Sequence, residues 1–204
     1  MNVLLINGSP HEKGCTYTAL SEVANTLEKH GIATRIYPIG KKPVRSCIAC
    51  GRCNELSRCV FDDDSANEIL SLMQQADGIV IGSPVYYAGP NGALCALLDR
   101  VFYASNGSLA FKPAAAVVSA RRSGTTATFE RLNKYFTMSR MPVVSSQYWN
   151  GVHGFSPKDV MQDEEGLQTM RTLGDNMAWL LKSIAESGPP LPEIEPWTPT
   201  HFIR

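Results

Sequence analysis

The fold is decided by residues 1–20, which read MNVLLINGSPHEKGCTYTAL. Residues 3–6 are a short apolar run with β-branched members, which predicts a strand buried on both faces. A loop of small and polar residues spans 7–14, and a helical period then runs from Thr16 to about His30. The first N–H groups of a helix have no partner inside it, and the helix dipole favours negative charge there. This strand–loop–helix unit therefore predicts an anion site.

The motifs that this loop lacks narrow the identity of the anion. It has neither the Gly-Lys-Ser/Thr of nucleoside-triphosphate loops nor the G-x-G-x-x-G of dinucleotide folds. Cys15 has no arginine six residues later, where Ser21 stands, which argues against a cysteine phosphatase. The hydroxyls of Ser9, Thr16 and Thr18 suit a single phosphate, as in a flavodoxin-like fold that binds FMN. The alternative interpretation is an ordinary strand-to-helix turn.

Length and composition set the class of protein. A chain of 204 residues suits one domain with a sizeable core, and its 19 basic and 19 acidic residues give no electrostatic case for nucleic acid or a polyanionic surface. No apolar run reaches the ~18 residues of a membrane span, and no secretory signal is visible. We therefore expect a cytoplasmic protein whose six cysteines are thiols or metal ligands rather than disulfides.

Strands and helices alternate along the rest of the chain. The apolar patterns predict further strands at 33–39, 78–82, 114–120 and 143–146. They predict helices from Ser65, where Glu68 completes a capping box, to about 75, and at 92–104, 126–139 and 163–186. Strands joined by helical crossovers form a parallel sheet with helices on both faces. The predicted fold is therefore an α/β, flavodoxin-like three-layer sandwich with five parallel strands in the order 2-1-3-4-5.

Domain organisation follows from the same pattern. Residues 1–186 are predicted to form one flavodoxin-like FMN-binding domain, which carries a cysteine-rich loop at 40–63. The proline-rich tail at 187–204 cannot form regular structure. In a sheet of this kind a ligand lies beyond the carboxyl ends of the strands, where the strand order reverses. The loops after the third and fourth strands should then contribute to the site.

Both of these loops have the composition of binding loops. The loop at 83–92 combines prolines and glycines with two adjacent tyrosines, which suits a flat heteroaromatic ring; a turn with two core tyrosines is the alternative. The loop at 119–126 is rich in small residues that allow a ligand to approach the backbone. Its Arg121 or Arg122 could meet the phosphates of a nicotinamide cofactor or the flavin N1–C2=O edge, although solvated charge is the alternative.

Three motifs give a specific family resemblance. They are Gly8-Ser9-Pro10 with Gly14-x-Thr16, Gly82-Ser83-Pro84-Val85-Tyr86, and Arg121-x-x-Gly124. Over about residues 1–185 the chain resembles the NAD(P)H-dependent FMN reductase family of flavodoxin-like proteins. The resemblance implies bound FMN, NADPH or NADH as the hydride donor, and a homodimer or homotetramer whose interface helps to build the flavin pocket.

The same resemblance implies roles for individual residues. Around the FMN phosphate it places Ser9, His11, Cys15, Thr16 and Thr18. Along the flavin ring it places Pro84, Val85, Tyr86 and Tyr87, with Ser119 and Gly124 on the far side. Tyr17 and Arg121 complete the expected cofactor-binding set. The family usually has a basic residue where His11 stands and often asparagine where Cys15 stands.

The cysteine-rich loop carries a second motif. Cys47, Cys50, Cys53 and Cys59 are spaced as C-x2-C-x2-C-x5-C. Two-residue gaps allow successive thiolates to converge on one centre. The motif resembles that of the iron–sulfur flavoproteins, a branch of the same family, and this implies a 4Fe-4S cluster near the FMN. Tetrahedral zinc and free thiols are the alternatives.

Two later segments have more than one interpretation. Asp99 and Arg100 end the apolar stripe of the third helix, where an ion pair, a buried anchor at a subunit contact and a chemical role are all open. The aromatic, glycine-flanked loop at 148–154 could cover the flavin or receive a substrate. His153 in this loop could donate to a quinone oxygen or could be structural.

The expected chemistry follows from the cofactor. FMN accepts a hydride at N5, so we expect no catalytic acid or base from the protein. The predicted function is an FMN-dependent NAD(P)H oxidoreductase that passes electrons to a quinone, a nitro or azo compound, a flavin or an iron–sulfur centre. One alternative is an iron–sulfur flavoprotein that carries electrons and is reduced by ferredoxin. The other is a non-catalytic FMN-binding module that senses redox state.

Overall fold

The central sheet consists of parallel strands with one short antiparallel addition. A computed structural model describes residues 1–188, 190–196, 198 and 200. Its strands are β1 (Asn2–Asn7), β2 (Ala33–Pro38), β3 (Gly78–Tyr86), β4 (Gly89–Pro90), β5 (Ala114–Ala120) and β6 (Gly151–His153). The parallel strands lie in the order β2-β1-β3-β5-β6, and β4 pairs antiparallel with β3. Counted without β4, this is the predicted order 2-1-3-4-5.

Helices cover both faces of the sheet. They are α1 (Cys15–Lys29), α2 (Cys53–Leu56), α3 (Ala66–Gln75), α4 (Gly92–Ser105), α5 (Thr125–Met138), α6 (Pro157–Val160) and α7 (Glu164–Ser187). Successive side chains of a strand point to opposite faces, so Leu4 and Ile6 of β1 join one core with α3, α4 and α5. Val3 and Leu5 join the other core with α1 and α7. These three layers confirm the predicted α/β sandwich.

The fifth parallel strand is interrupted, and its predicted bounds of 143–146 were wrong. Val143 forms an isolated parallel bridge with Ala114, and regular pairing with β5 begins only at Gly151. The segment between these two points leaves the sheet. As a result β6 lies several residues later in the chain than predicted, although its place in the sheet is the predicted one.

The contacts of the intervening segment explain the interruption. Asn176 of α7 donates to the Ser145 carbonyl at 2.8 Å, so this backbone group bonds to a helix rather than to the sheet. The side chain of Asn150 donates to the Ala116 carbonyl of β5 at 3.0 Å. A side-chain amide thus takes a hydrogen bond that a continuous strand would have made, which keeps a buried carbonyl paired.

The start of α3 also differs from the prediction. Within the described residues the Ser65 side chain makes no capping hydrogen bond, so the predicted capping box is wrong. Asp64 accepts from the Ala66 N–H at 3.1 Å, and Glu68 accepts instead from the Tyr37 hydroxyl at 2.7 Å. Glu68 does not complete a capping box because the Tyr37 hydroxyl, on the neighbouring strand β2, competes for its carboxylate.

Two further expectations concern the whole chain. Among the described residues, no helix has the length and apolar character needed to cross a bilayer. Helix α7 ends at Ser187, and the described tail residues 190–196 contain neither helix nor strand. Pro189 and Pro199 of the predicted proline-rich tail lie outside the described residues.

Candidate functional site

The candidate site lies between the carboxyl ends of β1 and β3, where the strand order reverses. The Gly8 N–H donates to the Gly82 carbonyl at 2.8 Å, and the Asn91 side chain donates to the Gly8 carbonyl at 2.7 Å. A Cβ atom on Gly8 would lie 2.5 Å from a Leu94 methyl carbon and 2.7 Å from the Gly82 oxygen. The loops after β1 and β3 are therefore held together by backbone contact that requires glycine at position 8.

Asn7 holds the loop after β1 in shape through its side chain, a role that was not predicted from the sequence. Its buried side chain donates to the carbonyls of Glu12 at 3.1 Å and His11 at 3.4 Å, and it accepts from the Ser9 N–H at 3.1 Å. The Ser9 hydroxyl then accepts from the His11 N–H at 3.1 Å. A polar residue at the end of an otherwise apolar strand was the signal that could have identified it.

The N-terminus of α1 faces this loop. Gly14 is the N-cap, and in the described part of the chain no side chain caps this end or adds an acidic group to its first turn. By contrast, Asn91 caps α4 and Asp163 caps α7 with their own side chains. The open end of α1 provides unpaired N–H groups and a positive dipole, so it fits an anion such as a phosphate.

The predicted hydroxyls of α1 are engaged with protein partners. The Thr16 hydroxyl is buried and lies 2.8 Å from that of Ser119, which joins the first loop to the end of β5. The Thr18 hydroxyl donates to the Gly14 carbonyl at 3.2 Å. Tyr17 is half-buried in the same helical turn. The N-terminus of α1, which follows the first loop, is therefore in contact with the end of β5.

Cys15 and His11 occupy different positions at the edge of this loop. The Cys15 Sγ lies 3.7 Å from the Gly154 carbonyl, in the loop that follows β6. Burial raises the pKa of the Cys15 thiol above its ordinary value. His11 is exposed. It borders an open depression of about 520 Å³ that also includes Lys13 and Lys41, two cations that the sequence analysis did not single out.

The loop after β3 is a tight hairpin. Val85 pairs with Pro90 and Tyr86 with Gly89, so the turn consists of Tyr87 and the following alanine. Both turn residues have positive φ, 50° for Tyr87 and 57° for Ala88, as a type I′ turn requires. The Tyr87 side chain is fully exposed, that of Tyr86 is 44% exposed, and Pro84 is half-buried.

Gly124 brings the β5 loop against this hairpin. Its φ of +93° is in the left-handed region, and a Cβ atom there would lie 2.9 Å from Ala88 Cα and 2.9 Å from Val85 Cγ1. Arg121 and Arg122 are exposed, and neither makes a hydrogen bond or ion pair with another described residue. The structure thus brings together the three loops that the sequence predicted to form one site.

The loop between β5 and β6 borders a small pocket nearby. This pocket has a volume of about 100 Å³, and its lining includes Trp149, His153 and Asp163. The His153 N–H donates to Asp163 at 2.6 Å, while the His153 ring Nδ1 lies 3.8 Å from the same carboxylate. The Tyr148 and Trp149 rings lie 5.2 Å apart and are both more than half exposed.

The four motif cysteines lie around one pocket, whose lining shares no residue with the loops after β1, β3 and β5. The pocket has a volume of about 220 Å³, and all four thiols contribute to its lining together with Phe61 and Tyr103. Searched over the described residues, no group of three or more His, Cys, Asp or Glu side chains is arranged to hold a metal ion. The thiols therefore share a pocket without being drawn together into a ligand cage.

Arg100 anchors this cysteine-rich loop to α4. Its side chain is the largest fully buried one among the described residues, and it pairs with Asp64 and donates to the sulfur of Cys59 at 3.2 Å. Asp99, one residue earlier, accepts from the Tyr135 hydroxyl of α5 at 2.5 Å. Of the interpretations open for this pair, Arg100 is a buried anchor within the chain, and Asp99 is held by α5.

Comparisons with known proteins agree with this geometry. The sequence model of the family described as NADPH-dependent FMN reductase matches residues 1–155. An iron–sulfur flavoprotein of Methanocaldococcus jannaschii is 35% identical over 192 residues, which is 90% of this chain and 99% of that protein. An iron–sulfur flavoprotein of Methanosarcina thermophila is 27% identical over 191 residues, 92% of this chain and 98% of that protein.

A solved structure shows the same fold. A flavodoxin from the domain Archaea superposes with a TM-score of 0.62 at 17% identity, covering 89% of this chain and 99% of that one. The family match covers well over half of the sequence, and it confirms the resemblance that the three loop motifs gave. The chain therefore belongs to the NADPH-dependent FMN reductase family, as a flavodoxin-like, FMN-binding oxidoreductase related to the iron–sulfur flavoproteins.

Proposed function

We propose that the protein oxidises NADPH or NADH with a resident FMN and passes the electrons to a small-molecule acceptor or an iron–sulfur centre. The observation that carries this proposal is the meeting of three loops at the β1–β3 crevice, beside the open N-terminus of α1. FMN supplies the hydride-accepting chemistry, so the protein has to bind, orient and shield the ring. A quinone, a nitro or azo compound and a free flavin are acceptors that this chemistry serves.

We assign the cofactor contacts from this arrangement. The phosphate group would bind at the first loop and the α1 terminus, formed by Ser9, His11, Cys15, Thr16, Tyr17 and Thr18. The ring would lie along the hairpin, with Pro84, Val85, Tyr86 and Tyr87 on one side and Ser119, Arg121 and Gly124 on the other. Exposed Arg121, together with Lys13 and Lys41 in the adjoining depression, would meet the phosphates of the nicotinamide donor.

We propose a 4Fe-4S cluster as the group held by Cys47, Cys50, Cys53 and Cys59. The donor set fits, because four thiolates are the usual ligands of such a cluster and all four line one pocket. The names of the relatives favour the same assignment. Zinc held by the same thiols and uncoordinated thiols are the outcomes that metal analysis separates from it.

Two other functions have a specific observation in their favour. An electron carrier that is reduced by ferredoxin is favoured by the four motif cysteines that line one pocket, and it would need the flavin but no nicotinamide site. A non-catalytic redox-sensing module would use the cysteine-rich loop, whose Cys47 and Cys50 are exposed. The oxidoreductase is preferred because the family whose model matches is described by its NADPH-dependent reaction.

We further propose that the protein is cytoplasmic, that its chain consists of one domain and an extension, and that it forms a homo-oligomer. Residues 1–186 would form the FMN-binding domain and 187–204 a proline-rich extension. A homodimer or homotetramer would complete the flavin pocket, and light scattering on the FMN-loaded protein would measure its size. Six free cysteines in the described residues suit a compartment that keeps thiols reduced.

The test is an anaerobic purification followed by spectroscopy and turnover. The proposal predicts flavin absorption, iron without zinc, rapid bleaching by NADPH or NADH, and reoxidation by a quinone. Bleaching by reduced ferredoxin but by neither nicotinamide would favour the electron carrier. If donor and acceptor use the same face of the ring, initial-rate lines at several acceptor concentrations will be parallel, and intersecting lines would contradict that order of events.

A further inference from the structure

Arg100 has an environment that the flavin site does not explain. The side chain is only 2% exposed. Its Nε donates to the Cys59 sulfur at 3.2 Å, and one terminal nitrogen donates to the Arg45 carbonyl at 3.1 Å and pairs with Asp64. The other terminal nitrogen donates to the Phe61 carbonyl at 3.3 Å. Every one of these partners belongs to the cysteine-rich loop or to the residues directly after it.

These contacts explain how a guanidinium can be buried here. A charge removed from water must be paired and fully hydrogen-bonded, or its burial strongly destabilises the fold. Asp64 supplies the countercharge and also accepts from the Arg45 N–H at 3.2 Å. The geometry therefore ties both ends of the loop to one residue of α4.

Cys59 is held more firmly than the other motif cysteines. Its N–H donates to Asn67 at 2.8 Å, and its carbonyl accepts from the same side chain at 3.0 Å. Arg100 then directs a charged donor at its sulfur. Over the described part of the chain, Cys47 receives a longer backbone contact of 3.4 Å from Ala49, and the sulfurs of Cys50 and Cys53 receive no hydrogen bond.

We propose that Arg100 is a positioning residue for Cys59 that raises the reduction potential of the cluster ligated there. This inference rests on the proposed 4Fe-4S cluster. Hydrogen bonds to ligand sulfurs are among the factors that set the potentials of such clusters. A cationic N–H stabilises negative charge on the sulfur, and the reduced state carries one negative charge more than the oxidised state. Arg100 therefore favours the reduced state.

The test compares the potentials of cluster and flavin in one sample of the FMN-loaded, cluster-loaded protein. Arg100→Lys keeps a positive charge for Asp64 but cannot donate at the same time to the sulfur and both carbonyls. We expect its cluster equilibrium to shift about tenfold towards the oxidised state, which is about 59 mV for a one-electron couple. The flavin potential should not change, because none of the Arg100 contacts involves the three flavin loops.

Matched variants distinguish an effect of Arg100 on the cluster potential from a purely structural role in holding the cysteine-rich loop. Asp64→Asn keeps the donor at the sulfur but removes its countercharge, so it should lower the melting temperature and move the cluster potential upward, the opposite direction to Arg100→Lys. The exposed Arg35→Lys, in β2, is the matched control, because it replaces a guanidinium with an amine and keeps the positive charge. If Arg100→Lys does not fold, Arg100→Met combined with Asp64→Asn removes both charges and avoids a buried unpaired carboxylate.

A second measurement needs no variant. Wild-type protein labelled with ¹⁵N-arginine should show, by pulsed EPR of the reduced cluster, a hyperfine coupling to one arginine nitrogen. Absence of that coupling, or cluster potentials that stay unchanged in the Arg100 variants, would contradict the inference while leaving the cluster intact. Wild-type protein that takes up no iron and sulfide would instead contradict the proposed cluster, and this inference with it.

Discussion

Asn7 holds the loop after β1 in shape through the hydrogen bonds of one buried side-chain amide. We expect Asn7→Ala to weaken FMN binding roughly tenfold, because it removes three hydrogen bonds that shape the loop, each with a net value of about 0.5–1.5 kcal/mol. Flavin fluorescence quenching measures the affinity. Asn2→Ala is the control at the opposite end of the same strand, and equal affinities of the two variants would show that Asn7 does not shape the site.

Gly124 has both a positive φ and close contacts with the hairpin. Gly107 has a positive φ without such contacts, so it serves as a matched control. We expect Gly107→Ala to lower the free energy of unfolding by about 1–2 kcal/mol because its φ is positive, and Gly124→Ala to lower it further because its Cβ would also meet the hairpin. Gly107 has open space around its Cα, whereas an alanine at 124 would press on the hairpin. Only Gly124→Ala should therefore weaken FMN binding; unaltered binding would mean that the hairpin is not part of the pocket.

The Cys15 thiol gives a prediction for chemical reactivity. Burial raises its pKa, so the reactive thiolate is scarce at neutral pH. In metal-free protein we expect iodoacetamide to modify Cys15 more slowly than the exposed Cys50, as peptide mass spectrometry would measure. Cys95, whose pKa burial also raises, should be slow as well. Because the pKa of Cys15 is higher in the folded than in the unfolded chain, its contribution to the free energy of unfolding is present below pH 9.0, the ordinary pKa of a cysteine thiol. That contribution is lost as the pH rises above this value.

At the scale of the element, the hairpin after β3 stores strain at its turn. Ala88 has a φ of 57°, where an alanine costs about 1–2 kcal/mol relative to glycine. We expect Ala88→Gly to raise the free energy of unfolding in urea by about 1 kcal/mol. Ala127→Gly, on the exposed side of α5, should lower it by roughly 0.5–1 kcal/mol. A loss of stability in both variants would contradict the turn geometry.

The same hairpin shows the limit of local sequence signals. A type I′ turn usually contains Asn-Gly or Asp-Gly, and Tyr87-Ala88 gives no such sign. Contact with Gly124, which comes from a different loop, holds the turn in place. The interrupted fifth strand is similar, because the partners of Ser145 and Asn150 lie on α7 and β5. The sequence could predict that a fifth strand exists. It could not predict where the backbone of this segment bonds to side chains of other elements instead of to the sheet.

At the scale of the whole molecule, the strands and helices were predictable because short apolar runs alternate with segments of 3.6-residue period along this chain. The strand order was predictable because helical crossovers restrict the topology of a parallel sheet. The three binding loops were predictable because such a sheet places them at one edge. Asn7 bonds to residues only two to five positions away, and a polar residue at the end of an apolar strand was its signal in the sequence. The role of Arg100 was not predictable, because it depends on partners that only the folded chain brings near. For Arg100 these are Arg45, Cys59 and Asp64, each more than thirty residues away.

The central claim is that the first loop and the open end of α1 bind the phosphate of FMN. Titration of cofactor-free protein with FMN and with riboflavin, followed by flavin fluorescence, tests it most directly, because the two ligands differ only in the phosphate. We expect one FMN to bind per chain and riboflavin to bind at least about a hundredfold more weakly, a difference of roughly 2.7 kcal/mol. Equal affinity for the two ligands, or no binding of FMN, would contradict the claim.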